Sequence, residues 1–239
     1  MKMEEFKREF EKYLEKMNIS LNKEQYDQFY AYMVLLIEWN EKINLTAITE
    51  PQEIILKHFV DSLTIAKYIE EGKTIIDMGT GAGFPGIPLK IYRNDVKVVL
   101  ADSLNKRIKF LNEAIEKLQL KNIETIHCRA EELGKNKEYR EKFDYATSRA
   151  VANLSTLSEY LLPFVKLNGS GIFMKTMEID EELENAKKAI KILGGRIEKV
   201  DKFEIPESDL GRSIIIVKKE KQTPSKYPRK PGTPAKEPL

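Results

Sequence analysis

Residues 75–86 read IIDMGTGAGFPG, an apolar run that ends in an acid and then in glycines at alternating positions. Ile75 and Ile76 read as the end of a buried strand and Asp77 as its polar tip. Gly79, Gly81 and Gly83 mark where the backbone turns sharply and approaches a ligand without interference from a Cβ atom. Four of the chain's twelve glycines fall between Gly79 and Gly86, more than a plain strand-to-helix turn needs.

On the C-terminal side of the loop the pattern alternates strand and helix. Strands read over 74–77, 96–101, 123–127, 143–147 and 171–175; helices read near 88–93, over 106–118, from about Asn153, and over 181–193. This predicts an α/β, doubly wound sheet. Two late strands, 196–203 and 212–218, have no helix between them and should pair as a terminal hairpin, which makes seven strands. A dinucleotide domain would instead repeat its βαβ half. Ahead of the sheet the chain is helical: Phe6, Phe10, Leu14 and Met17 recur at helical spacing, as do Tyr26, Tyr30, Met33 and Ile37. Their aromatic rings read as core contacts. Asn22 with Gln25 suits a capping pair, and Thr49 with Pro51 and Gln52 the start of a third helix. The expected division is a helical cap over 1–70, the sheet domain over 71–220 and a C-terminal arm over 221–239.

Two cofactor classes suit the glycine loop. Gly81, Gly83 and Gly86 satisfy the dinucleotide spacing GxGxxG, with Asp102 about twenty residues on for a ribose. A pyrophosphate, however, wants free backbone N–H groups at the helix N-terminus, and here the helix opens with Pro85 and Pro88, which have none. An uncharged link between nucleoside and tail fits better. S-adenosylmethionine (SAM) has such a link, a sulfonium, and D-x-G-x-G-x-G after a first strand is the loop of its commonest binding fold. Asp77 would hold the loop and the methionine end, with Gly79 and Gly81 against the cofactor. Ligands of such sheets sit at the carboxyl ends of the strands. Position therefore nominates Asp102 for the ribose hydroxyls, and the Ala130–Glu131 backbone with a neighbouring carboxylate for the adenine. It also nominates Arg149, whose guanidinium suits a carboxylate or phosphate. A structural ion pair is the competing reading of Arg149.

Length and composition suit an enzyme, since 239 residues with 41% hydrophobic content can bury a full core. No run approaches the roughly 18 apolar residues of a membrane span. The charged opening MKMEEFKREF has no signal-peptide core, so a cytoplasmic protein is expected. One cysteine, Cys128, excludes an internal disulfide and a CxxC metal knuckle, and no metal is expected. Its neighbour His127 points to the opposite face of the strand, so the pair reads as structural. Gly72-Lys73-Thr74 approximates the end of a P-loop but precedes the strand, with Lys67 where the first glycine belongs. Net charge is only +2, yet residues 218–239 hold seven Lys/Arg and two Glu along with five of the ten prolines. Such a stretch forms no core of its own and should lie extended along the body or along a polyanion.

Six segments resemble one family. WNEKINLTAI (39–48), KHFVDSL (57–63), DMGTGAGFPGIPL (77–89), ADSLNKR (101–107), SRAVA (148–152) and YPRKPGTPAKEPL (227–239) look like the bacterial RsmG (GidB) family, in order and across nearly the whole chain. The resemblance implies a Rossmann-like class I SAM-dependent methyltransferase fold. It implies transfer of a methyl group to N7 of one guanine in 16S rRNA of the small ribosomal subunit, near the decoding site. It further implies that Gly79 and Phe84 line the SAM site from the first loop, Ala130 and Glu131 from the third, and Arg149 from the fourth; Gly81 and Asp102 are added from position. His58 and Asp61 read as a capping or inter-helix hydrogen-bond pair without chemistry. The SRAV motif lacks the acid or amide and prolines used on exocyclic amino groups, and N7 has no proton to lose, so no catalytic base is expected. The arm should meet RNA phosphate, through Arg229 and Lys230 first, and a monomer is expected. An NAD-dependent oxidoreductase and a non-catalytic RNA-binding protein on a degenerate methyltransferase fold are the alternatives that the residues leave open.

Overall fold

The computed structural model describes residues 1–149 and 152–239. Helix α1 (Met3–Lys16) turns Phe6, Phe10, Tyr13 and Leu14 inward, and α2 (Lys23–Ile43) buries Tyr26, Phe29, Tyr32, Met33, Leu35 and Leu36, the stripe that helical spacing provides. A capping box starts α2: Gln25 N donates to Asn22 Oδ1 and Asn22 N to Gln25 Oε1, both at 2.9 Å. Helix α3 (Pro51–Ile54) has Pro51 in its first turn as expected, but its N-cap is Glu50 rather than Thr49, with no side-chain cap bond. It runs into a π-helical turn (Ile55–Val60) and then α4 (Asp61–Leu63). Phe59 in that turn packs 5.1 Å from Phe29 and 5.5 Å from Tyr32, ring centroid to centroid, so these aromatics are core contacts.

The sheet comprises β1 (Thr74–Met78), β2 (Lys97–Asp102), β3 (Ile123–His127), β4 (Phe143–Arg149), β5 (Val165–Thr176), β6 (Gly195–Glu204) and β7 (Gly211–Lys219). Their order is β3-β2-β1-β4-β5-β7-β6. The first five run parallel, and β7 lies antiparallel between β5 and β6, which gives the expected hairpin. Crossovers carry α5 (Gly86–Tyr92), α6 (Asn105–Lys117), α7 (Ala130–Leu133), α8 (Leu154–Leu161) and α9 (Asp180–Ile192). Ile75, Val98, Leu100, Ile172 and Ile214 share one hydrophobic cluster with the cap helices, whereas Ile76, Val99, Ala101, Phe173 and Ile215 share the other with α8 and α9. Burial on both faces is why these strands read as continuous apolar runs.

Two of the boundaries that differ from the expectation have a visible reason. Helix α5 begins at Gly86 rather than near Pro88, because Asp77 Oδ2 accepts the Gly86 N–H at 2.8 Å and so caps the helix. A Cβ at Gly86 would stand 2.3 Å from Leu100 Cδ2 and 2.9 Å from that carboxylate oxygen, so the cap requires glycine. Strand β5 begins at Val165 rather than Gly171. After buried Val165, residues 166–168 are exposed and read as loop, yet the strand continues through Asn168 at φ 65° with a shifted β4–β5 register.

Beyond β7 the arm follows the first of its two expected courses and lies along the body. Buried Lys219 donates to Val165 O and to Thr223 Oγ1 at 2.7 Å, with Glu141 as counter-ion at 3.2 Å. Its burial pulls the ammonium pKa down to about 8. Arg140 donates to the carbonyls of Gly134, Thr223, Pro224 and Tyr227. The arm ends in α10 (Thr233–Lys236), with Tyr227 and Pro234 buried. Among the described residues no helix is long and apolar enough to cross a membrane.

Candidate functional site

The loop after β1 is held by its own amides. Asp77, fully buried, accepts from Thr80 Oγ1 at 2.6 Å and from Gly86 N through the same oxygen, while Oδ1 has no partner. Burial pushes this carboxyl up to about 6. Gly79 N and Thr80 N donate to Ala101 O, Gly83 N and Phe84 N to Thr80 O, and Gly81 N to Asp102 Oδ2. With Gly86 N on Asp77 and no N–H at Pro85, the donors a pyrophosphate would need at the start of the helix are already engaged. The loop therefore favours a cofactor with an uncharged link over a dinucleotide.

A cleft of about 300 Å³ opens where β1, β2 and β3 end. Four of the expected residues line it: Gly79, Asp102, Ala130 and Glu131. Met78, Leu157 and Tyr160 give it apolar walls, and Gly232 reaches in from the arm. Asp102 accepts from Gly81 N at 2.9 Å, Leu104 N at 2.9 Å and Arg107 Nη1 at 3.2 Å. A carboxylate has about four acceptor sites, so it retains capacity for a ligand hydroxyl. Glu131 accepts from Gly232 N at 2.9 Å. Cys128 also borders the cleft, but burial pushes its thiol up to about 11, so it is no thiolate nucleophile at neutral pH. Apolar walls and the two carboxylates of Asp102 and Glu131 fit S-adenosylmethionine, a neutral nucleoside with a cationic centre. Three larger clefts, of about 860, 620 and 450 Å³, lie elsewhere and do not border the loop.

Gly81, Phe84 and Arg149 are not among the residues lining that cleft. Arg149 Nη1 donates to Lys57 O and to Asp61 Oδ2, each at 3.0 Å, and Nη2 to His58 Nδ1 at 3.1 Å. Its guanidinium lies 5.0 Å from the Phe84 ring centroid, and the His58 ring stacks on Phe84 at 4.3 Å. Arg212 Nε also donates to Asp61, at 2.8 Å. The ion-pair reading of Arg149 is thus the one these distances display. His58 and Asp61 are both its partners, a correction to the pairing expected between the two. Burial, reinforced by the Arg149 charge, lowers the His58 pKa to about 3. The imidazole is therefore neutral, and with Nδ1 accepting from Arg149, Nε2 carries the proton donated to Thr46 Oγ1 at 2.9 Å. Arg212 had no signal in the sequence, since it is joined to Asp61 only by the closing of the sheet. Ala150 and Val151, the second half of the SRAV motif, lie outside the described residues.

On the arm, Arg229 sits on Glu159 of α8. Its Nη2 donates to Oε2 at 2.7 Å, and its backbone N and Nε donate to Oε1 at 2.7 and 3.0 Å. The Glu159 side chain is fully buried. Lys230 beside it is exposed.

The family model for GidB, rRNA small subunit methyltransferase G, matches residues 25–211. A protein named Ribosomal RNA small subunit methyltransferase G from Acetivibrio thermocellus is 56% identical over 222 residues, covering 92% of this chain and 91% of its own. The protein of the same name from Desulforamulus reducens is 56% identical over 225 residues, covering 93% and 94%. Among solved structures, a SAM dependent methyltransferase from Aquifex aeolicus has a TM-score of 0.54 at 20% identity, covering 73% of this chain and 96% of that one. That likeness is one of fold, and the fold is the Rossmann-like one of class I SAM-dependent methyltransferases. With a family model spanning most of the chain and two relatives above half identity, the protein belongs to the GidB family of rRNA small subunit methyltransferases.

Proposed function

We propose that the protein transfers a methyl group from S-adenosylmethionine to N7 of one guanine in 16S rRNA of the small ribosomal subunit, as a cytoplasmic monomer and without a catalytic acid or base. Membership of the family supports the reaction class and the rRNA substrate. The observation that carries the missing base is the titration state of the groups at the site. Burial holds Cys128 and Tyr160 protonated and His58 unprotonated at neutral pH. None of these three is poised to take a proton near pH 7, and Asp77, raised to about 6, is fully buried, holds Thr80 and Gly86 and is not among the residues lining the cleft.

When bound, S-adenosylmethionine supplies an electrophilic methyl group on a sulfonium. Gly79 and Ala130 would lie along it, Asp102 would accept from its ribose and Glu131 from its adenine, with Arg149 and Phe84 closing the side toward the cap. Guanine N7 keeps its lone pair in the plane of the base and loses no proton on methylation. The chain's task is therefore orientation and exclusion of water, worth up to about 7 to 11 kcal/mol in well-aligned systems. A-form RNA hides N7 in a deep, narrow groove, so the target guanine should be looped or splayed from its stack. Exposed Lys230 is assigned to phosphate, and Arg229, held by Glu159, to the arm's own anchorage. Single-turnover transfer from labelled SAM to small-subunit RNA, followed by nucleoside mass spectrometry, tests the reading. The expected product is 7-methylguanosine, formed at a rate nearly flat from about pH 6 to 8. A methyl group on an exocyclic nitrogen or a ribose oxygen would overturn the N7 assignment, and a steep one-proton profile would reveal a base.

A further inference from the structure

Helix α8 presents two adjacent stripes. Leu157 and Tyr160, three apart, face the cleft beside Glu131 and Gly232, whereas Thr156 and Glu159, also three apart, hold the arm. Thr156 Oγ1 donates to Pro234 O at 2.9 Å, and the buried Glu159 carboxylate receives three donors of Arg229. Between those two fastenings lies Gly232, whose N–H is bonded to Glu131 Oε1 and which itself lines the cleft. A fully buried carboxylate needs its counter-ion, so the Glu159–Arg229 pair fixes where this part of the arm lies.

We propose that Glu159 and Arg229 are positioning residues for the cofactor. Their ion pair sets residues 229–234 along the cleft, so that the Gly232 amide fixes one oxygen of Glu131 and leaves the other directed to the ligand. The inference rests on the assignment of the cleft to S-adenosylmethionine. It gives the basic arm a task in the cofactor site that its charge does not suggest.

The test uses full-length variants and titration calorimetry with SAM. Glu159→Gln combined with Arg229→Gln removes both charges together and leaves neither buried alone. It should raise the dissociation constant for SAM about tenfold, the scale of one hydrogen bond to a charged group. The Michaelis constant for SAM should rise with it, while kcat at saturating SAM changes little. A backbone ester at position 232, with glycolate in place of glycine introduced by semisynthesis of the C-terminal segment, leaves the ion pair and the left-handed backbone at φ 82° but deletes the N–H donor. It should weaken SAM by a similar factor, and in a Glu131→Gln background it should add almost nothing, because contacts in one chain of interactions are not additive. Hydrogen exchange should show the amides of 229–234 gaining protection on SAM addition in the wild type and not in the Gln/Gln variant. Wild-type SAM affinity in the folded ester variant would overturn the proposal. So would an equal loss with and without Glu131, or a Gln/Gln variant that changes only the salt dependence of RNA binding. Unchanged affinity in Glu131→Gln alone would instead remove Glu131 from the cofactor site, and the proposal with it.

Discussion

Gly79 has φ 69° and borders the cofactor cleft, so a branched side chain there meets both a strained backbone and the ligand's space. Gly79→Val should abolish measurable SAM binding in calorimetry and lower stability by about 1–3 kcal/mol; SAM affinity equal to wild type would take the loop out of the site. His58 offers a pH signature. The unfolded chain binds a proton near the ordinary 6.5, but the folded protein resists until about 3. Unfolding therefore takes up a proton in that window. Its stabilising contribution is complete above about pH 6.5 and is lost as the pH falls toward 3, with a slope approaching about 1.4 kcal/mol per unit. Asp77, raised to about 6, contributes with the opposite sign below that pH, so urea unfolding between pH 4.5 and 7 should show a slope more positive in the wild type than in His58→Gln by that amount. Matching slopes would mean the imidazole titrates in solvent.

At the scale of elements, the cap and sheet meet at Asp61, which receives Arg149 from β4 and Arg212 from β7. Asp61→Leu leaves two arginines without their buried partner and should cost about 3–5 kcal/mol, read as a lower urea midpoint. Removing the exposed Lys12–Glu9 pair of α1 should shift it by less than about 1 kcal/mol. Equal effects would mean that Asp61 carries no docking role. These junctions also show what a sequence can and cannot carry. Strands β1, β2 and β7 and the glycine loop are legible because apolar runs, turn glycines and the missing crossover helix are local features. Arg149–Asp61 and Arg140–Tyr227 join residues 88 and 87 apart, and long-range polar pairs leave no period in the chain. The arm's composition left the body and a polyanion equally open, and only the fold shows that Arg140, Glu141 and Glu159 draw it onto the body. At the site, Gly79, Asp102, Ala130 and Glu131 were readable from their places after strands, but Gly232 was not, since only the fold brings it to Glu131.

Across the whole molecule the net charge of +2 is too small to attract RNA by itself, so attraction must come from local clusters. On the arm Lys226, Lys230 and Lys236 are exposed. Changing all three to Gln should reduce the salt dependence of RNA binding by about 0.7 to 0.9 for each one that meets phosphate, with SAM affinity retained. An unchanged slope in filter-binding titrations would assign these lysines to solubility. The internally bonded loop amides have a consequence for selectivity. Adenosine is shared by ATP, NAD and S-adenosylmethionine, and cells hold the first two in abundance. A loop with six of its N–H groups already paired, beside Asp102 and Glu131, offers their phosphates few donors and faces them with negative charge. Competing nucleotides are thereby turned away by the same bonds that shape the loop, without a residue dedicated to rejecting them.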